Sequence, residues 1–358
     1  MKILQTSDIH LGSKITAHLD ERRASVRRRE LQDGFARLVR EAQSLGAEAV
    51  IIAGDLFDTE TVSRRLVEAT LATISSNKSI IFFYLPGNHE GDALARANIP
   101  LPENLKIFGD DWTSFELGEV TIVGRSRLGL DLTASLPRGA GKTIAVLHGE
   151  LRDGASSDKI IGMRDIERSG IDYLALGHYH SYSAHTLGHC TAVYSGTPEG
   201  RGFDEAGERG YVLISVEGSG ISHSFIPGGG RRLTIVEADI TGDKTQSEVE
   251  ATVGRALLGV RGDDMVRVVL VGQRGAETSH DTESITRRYS REYFYFEAKD
   301  KSTLALRAED FANDKSLMGE FVRLVLGDGS LSKEEQDKIL ECGLRALRGE
   351  ETIWRSGY

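Results

Sequence analysis

Short apolar runs punctuate the first half of the chain, and each gives way at once to a polar cluster. They fall at residues 1–4, 49–53, 80–85, 144–147 and 173–176. Runs this short and this continuous predict strands. Between them, apolar residues recur at three- and four-residue spacing over about 23–45 and 63–75, which predicts helices. Strand alternating with helix predicts an α/β fold. Shorter strands are expected between 108 and 123. After residue 180 the pattern turns to β, at 184–194, 210–216 and 221–226.

Gly228-Gly229-Gly230 is the clearest boundary. Beyond it the pattern predicts a strand at 232–238, a helix at about 246–258, and strands at 265–271 and about 293–299, a small α+β module. Helical spacing returns at 317–326 and 334–347. The expected organisation is a first domain over 1–227, a small domain over 231–300, and a helical segment over 301–358.

The polar clusters carry the chemistry. They are Asp8-Ile9-His10, Gly54-Asp55-Leu56-Phe57-Asp58, Gly87-Asn88-His89-Glu90, His148-Gly149-Glu150 and Gly177-His178-Tyr179-His180, and they hold five of the ten histidines. In an open α/β sheet, sites form beyond the carboxyl ends of strands, so five distant segments can share one rim. Phosphodiester hydrolysis needs an activated water and charge neutralisation on the phosphoryl oxygens, and two divalent ions roughly 3.5–4 Å apart supply both. A bridging ligand must be a carboxylate, and Asp55 is the natural candidate. Asp8 and His10, spaced i and i+2, are expected on one side of an extended backbone, and His178 and His180 repeat that spacing. Asn88 offers a neutral amide oxygen. Its neighbour His89 would point elsewhere, towards substrate. Oxygen and imidazole donors without thiolate favour Mn, Fe or Zn and argue against a structural cysteine-zinc site. Any one of these motifs alone reads equally well as a turn or cap; the set in one order, each after a strand, does not.

Composition narrows the class. The chain has 358 residues, 39% hydrophobic and 27% charged, as in globular proteins. No apolar run is long enough to span a bilayer. The N-terminal apolar stretch is too short for a secretory signal. Cys190 and Cys342 make no disulfide framework, so the cytoplasm is the default expectation. The net charge of −10 does not announce a nucleic-acid binder. One basic cluster stands against it: Arg22, Arg23, Arg27, Arg28 and Arg29. Arginines at the start of a helix oppose its dipole, so helix stability does not explain them. They read either as a solvated face or as phosphate-backbone contacts. Gly139-Ala140-Gly141-Lys142-Thr143 imitates the end of a P-loop, but Leu136 stands where the first glycine should, and the segment precedes a strand. His18, His185, His189, His223 and His280 lie outside the motifs and read as structural or exposed.

The motif set resembles that of the calcineurin-like metallophosphoesterases. Asp8-Ile9-His10-Leu11-Gly12 and Gly54-Asp55-Leu56-Phe57-Asp58-Thr59 are similar to the DNA repair exonuclease branch, of the SbcD and YhaO type. So is Tyr194-Ser195-Gly196-Thr197-Pro198-Glu199-Gly200-Arg201 followed by Gly207-Glu208-Arg209-Gly210-Tyr211. The resemblance covers about the first 227 residues. It implies two packed mixed β-sheets flanked by helices, with a small α+β capping domain and a C-terminal helical segment. It implies one metal held by Asp8, His10, Asp55 and His180, and another by Asp55, Asn88, His148 and His178, with manganese the first expectation. His89 would be the catalytic histidine and Asp58 an accessory group. The family commonly has Asp after Gly-Asn-His; here it is Glu90, whose extra methylene could shift the orientation of His89. The implied activity is that of a DNA repair exonuclease, with an SMC-like ATPase partner of the SbcC type and a homodimer as the expected assemblies. The helices after Ser302 are candidates for the partner's docking segment, or pack on the catalytic domain. A phosphodiesterase or phosphatase for a small molecule is the alternative.

Overall fold

The computed structural model describes residues 1–347, apart from 16–18, 92, 219, 276–279 and 307. His18 and residues 348–358 of the expected helical segment thus lie outside the described residues. The chain divides into two compact units, Met1–Leu233 and Thr234–Tyr358.

The first unit contains two six-stranded mixed sheets. One runs in the order Gly220–Pro227, Gly210–Glu217, Lys2–Thr6, Ala49–Ala53, Ile81–Leu85, Leu105–Ile107. The other runs Ser183–Leu187, Cys190–Tyr194, Tyr173–Gly177, Lys142–His148, Val120–Gly124, Thr113–Leu117. The central strands of each sheet are parallel. The stretch 184–194 is a hairpin reversed around Gly188 rather than one strand, with Leu187 opposite Cys190.

The apolar runs are continuous because both faces of each central strand are covered. Ile3, Ile51, Phe83, Ile144, Val146 and Tyr173 fill the space between the sheets. Their neighbours Leu4, Val50, Ile52, Phe82 and Tyr84 point the other way, onto Phe35, Leu38 and Val39 of helix Glu21–Ser44 and Val67, Leu71 and Ile74 of helix Arg64–Ser75. Each fully buried side chain of this size is worth roughly 1.5–3 kcal/mol. The inter-sheet core closes on a polar layer at the motif end. The Tyr173 hydroxyl donates to Gln5 Oε1 at 2.7 Å, Gln5 Nε2 donates to the Val193 carbonyl at 2.8 Å, and the Ser7 and Ser195 hydroxyls meet at 3.0 Å.

In the second unit, strands Leu233–Asp239, Met265–Val271 and Tyr295–Asp300 form a sheet. Helices Gln246–Ala256 and Thr282–Tyr289 pack on it through Val249, Val253, Ile285 and Tyr289. The second of these helices was not legible beforehand: only Ile285 and Tyr289 are buried in its eight residues. Helices Leu317–Gly327 and Lys333–Leu347 share a small core of Val322, Val325, Leu340 and Leu344 with Leu304. Among the described residues, no helix is long and apolar enough to cross a membrane.

Candidate metal centre

All five motifs lie at the carboxyl ends of strands Lys2–Thr6, Ala49–Ala53, Ile81–Leu85, Lys142–His148 and Tyr173–Gly177. Strand register levels them: Thr6 pairs with Ile52, Ala53 with Leu85, and His148 with Gly177.

The backbone at the ligand positions is not extended, contrary to the expectation from the i, i+2 spacing. Asp8, His10 and Asp55 have φ of 51°, 49° and 51°, and His178 has φ of 110°. Left-handed backbone costs a non-glycine residue roughly 1–3 kcal/mol and persists only where its surroundings enforce it. Here the loops lace each other. The Asp8 N–H donates to the Gly54 carbonyl at 3.0 Å, His10 to Asp55 at 2.9 Å and Leu11 to Leu56 at 2.8 Å. The reversal, not a shared strand face, turns these side chains inward.

Among the described residues, three sets of donor atoms lie within 4.8 Å of one another: Asp8, His10 and His180; Asp8, Asp55 and His148; and His10, Asp58 and His89. His10 and His180 bring their Nε2 atoms to 3.3 Å. His148 Nε2 stands 3.3 Å from Asp55 Oδ2 and 2.9 Å from Asn88 Oδ1. His178 is outside these three sets; its ring packs edge-on to His148 with centroids 5.5 Å apart. The His89 ring meets His10 edge-on at 5.0 Å and is exposed, while its backbone N–H donates to Asp55 Oδ1 at 3.1 Å.

This donor set fits divalent cations. Asp8, Asp55 and His10 are nearly inaccessible to solvent, a costly grouping unless a cation compensates it. Burial and the charge of Arg201 push His10 down to about 3, which keeps it in the neutral form that ligates. Burial pushes Asp55 up, but the hydrogen bond and charge of His148, the His89 N–H and the charge of His10 together outweigh this and hold it down at about 2. Burial pushes His148 down, yet Asp55 and Asp8 carry it up to about 9. A positive charge is thus favoured beside Asp8 and Asp55. The backbone also makes room for the donors. A Cβ on Gly54 would lie 2.1 Å from His148 Nδ1, and one on Gly87 would lie 2.1 Å from Asp55 Oδ1.

Glu90 turns away from this centre. It is fully buried, and its carboxylate accepts the backbone N–H groups of Leu56, Phe57 and Gly87. Two further residues escaped sequence reasoning. Glu205, 3% exposed, contacts His180 Nδ1 at 2.7 Å, and Arg201 reaches both Glu205 and Asp58. Arg201 ends a segment carrying the family resemblance, which was the available signal; Glu205 had none.

The arginine cluster separates. Arg27 must be withdrawn from the expected surface: it is fully buried, paired with Glu199 at 3.2 Å and Glu30 at 3.1 Å, and donates to the Gly200 carbonyl at 2.6 Å. Helical spacing turns this one position onto the 198–201 loop. Arg23 pairs with Asp20, whose side chain caps the helix, and Arg28 pairs with Glu21. Arg22 and Arg29 are exposed. At the other decoy, Lys142 begins a strand and pairs with Asp172 at 2.7 Å.

A cleft of about 870 Å³ opens beside Asn88, His148 and His178. Its walls include Leu94, Leu101, Ile107 and Leu128, and its polar lining includes Arg127 and Lys159 alongside Asp110, Glu150 and Asp158.

Residues 1–182 match the family model described as calcineurin-like phosphoesterase. The chain is 27% identical over 278 residues to the DNA double-strand break repair protein Mre11 of Methanosarcina mazei, an alignment covering 72% of this chain and 43% of that protein. It is 28% identical over 270 residues to the Mre11 of Methanosarcina acetivorans, covering 69% of this chain and 42% of that one. It is 26% identical over 249 residues to the metallophosphoesterase YhaO of Bacillus subtilis, covering 63% and 60%. The chain therefore spans less than half the length of these Mre11 relatives. The family match extends over the strands and loops that assemble the donor set: the chain belongs to the calcineurin-like phosphoesterases, enzymes that use divalent metals.

Proposed function

We propose that this phosphoesterase is a two-metal phosphodiesterase acting on DNA as a repair exonuclease. The observation that carries the reading is the convergence of the Asp8, His10 and His180 set with the Asp8, Asp55 and His148 set beside an open cleft. Asp8, His10, Asp55 and His180 would hold one cation, and Asp55, Asn88, His148 and His178 the other, with Asp55 common to both. Cations held there would supply charge neutralisation on the phosphoryl group and activation of the attacking water. The ionisation of Asp55 keeps the bridging position negative. The exposed ring of His89 would hold a proton for the leaving oxygen. Asp58, whose carboxylate stands 3.3 Å from His10 Nδ1, would be an accessory group.

Manganese is the first choice of metal, with iron or zinc next. The Mre11 relatives are named as DNA double-strand break repair proteins, which favours DNA as substrate; an SMC-like ATPase as partner and the cytoplasm as compartment belong to the same reading through the family resemblance. Exposed Arg22, Arg28 and Arg29 are candidates for backbone contact, and a homodimer is part of the same reading. A small-molecule phosphoester is the second reading, and the cleft favours it in one respect: Asp110, Glu150 and Asp158 outweigh Arg127 and Lys159 in its lining.

The test is turnover by the purified chain with Mn²⁺ on end-labelled single- and double-stranded DNA and on bis-p-nitrophenyl phosphate. The nuclease reading expects nucleotides released from DNA. Cleavage of the nitrophenyl diester with DNA left intact would transfer the assignment to a small molecule. Inactivity on both would defeat the two-metal phosphodiesterase.

A further inference from the structure

Two carboxylates face the outer nitrogens of the paired imidazoles His10 and His180. Glu205 Oε1 lies 2.7 Å from His180 Nδ1, and Asp58 Oδ1 lies 3.3 Å from His10 Nδ1. Arg201 joins the two. Its Nη1 donates to Asp58 Oδ1 at 3.2 Å, and its Nε donates to Glu205 Oε1 at 3.1 Å. On the inner side, the two Nε2 atoms meet at 3.3 Å, and that of His180 is 3.8 Å from Asp8 Oδ1. We propose that Asp58, Arg201 and Glu205 form a positioning clamp that sets the tautomer and ring orientation of His10 and His180 for one of the two metal positions. The stoichiometric part of this inference rests on the two-metal reading.

A neutral imidazole has one N–H and one lone pair. An ionised carboxylate only accepts, so Glu205 requires the hydrogen of His180 on Nδ1. Nε2 then presents its lone pair inward. Arg201 Nη2 is 3.3 Å from the same Nδ1, but two donors make no hydrogen bond, and the shorter contact to Glu205 decides the tautomer. Asp58 acts on His10 more weakly: its carboxylate stands 3.3 Å from His10 Nδ1, near enough to favour a hydrogen there electrostatically, without forming a hydrogen bond to it. A carboxylate behind a ligating histidine also raises its basicity. Arg201 offsets the buried charge of Glu205 and fixes the spacing between the two carboxylates. The backbone of His180 is secured as well, since its carbonyl accepts from Arg209.

The other donor set is supported differently. His148 Nδ1 contacts the main-chain carbonyl of Ala53 at 3.0 Å, and no side-chain change would remove that partner. Loss of the clamp should therefore weaken one metal position and spare the other. A salt bridge that merely braced the 200–205 turn would alter stability and leave ligation untouched.

The experiment compares the full-length wild type with Glu205→Gln and Asp58→Asn. Mn²⁺ binding is titrated calorimetrically, the Co²⁺-loaded absorption spectrum is recorded, and the histidine tautomers of the metal-free protein are read by ¹⁵N NMR. Glu205→Gln is nearly isosteric, and its fold is checked by circular dichroism. We expect one Mn²⁺ equivalent to bind about 10–100-fold more weakly, the other to be unchanged, and His180 to lose its single tautomer. Asp58→Asn should weaken the same equivalent. Wild-type affinities with an unaltered Co²⁺ spectrum and tautomer in Glu205→Gln would overturn the clamp. Should that variant not fold, Asp58→Asn, whose native side chain is 25% exposed, decides by the same criteria. A wild type that binds a single equivalent refutes the two-metal reading alone, and the clamp is then judged by whether that equivalent weakens.

Discussion

Glu90 Oε2 accepts the backbone N–H of Phe57 at 2.7 Å and so ties the 87–90 loop to the 54–58 loop. Its other oxygen accepts Gly87 N–H at 3.0 Å and Leu56 N–H at 3.1 Å. The longer side chain at this position thus reaches into the adjacent loop. Each buried N–H left without a partner costs about 1–3 kcal/mol. Glu90→Ala should therefore lower stability by on the order of 3 kcal/mol or more, read as a fall in the urea midpoint. A shift under about 0.5 kcal/mol, ordinary for surface changes, would show that the brace is dispensable.

Asp55 Oδ2 stands 3.3 Å from His148 Nε2 and 3.9 Å from His10 Nε2. If it is common to two cations, Asp55→Asn should reduce occupancy of both and abolish hydrolysis. Elemental analysis that found two full equivalents in the variant would remove it from the bridging role.

His89→Gln should keep its metals and lose roughly 10²–10⁴-fold in turnover, the usual share of a general acid. Intact turnover would end the catalytic role. Loss of one metal equivalent would recast His89 as a ligand, an outcome made concrete by its place with His10 and Asp58.

Arg27 and its exposed neighbours should part company experimentally. Removing Arg27 strips Glu199 of one of its two arginine partners, the other being Arg37. Breaking a buried pair costs about 3–5 kcal/mol, and the remaining Arg37 places Arg27→Ala near the lower end. Arg22→Ala with Arg29→Ala should leave the melting temperature alone. On DNA, the pair should flatten the dependence of log K on log salt by about 0.9 per lost duplex contact. An unchanged slope would return these two arginines to the role of a solvated face.

In the second unit, Asp300 is held down at about 2. Burial raises it, but hydrogen bonds from His280 and Ser302 outweigh that. A depressed carboxyl stabilises the fold above its unfolded value, near 3.8, and the contribution disappears as pH falls through the folded value. Stability should therefore include a component lost between about pH 4 and pH 2, and Asp300→Asn should abolish it. Thermal melts of the two proteins across that range give the comparison. Parallel curves would contradict the assignment.

Much of the site was legible because its strands are buried on both faces. Continuous apolar runs announced Ala49–Ala53 and Tyr173–Gly177, and the polar residues that followed had to lie at strand ends. Asp8, His10, Asp55, Asn88, His148, His178 and His180 stood out as candidate donors from local pattern and order. Tertiary structure decided how they converge. Nothing in the local sequence reports the left-handed turns at Asp8, His10 and Asp55, because those turns are held by hydrogen bonds between loops more than forty residues apart. Burial of Arg27 could not be read from a run of five nearby arginines, because it depends on where Glu199 arrives from the far side of the domain. The pairing of Glu205 with His180 is of the same kind: a lone glutamate carries no periodicity, and only folding brings its carboxylate to the imidazole. The strands, the order of the candidate donors and the chemistry they permit are written in the chain. The three-dimensional fold determined which charges are buried, what orients each ring, and which arginines remain in water, because those properties belong to contacts between segments rather than to any one of them.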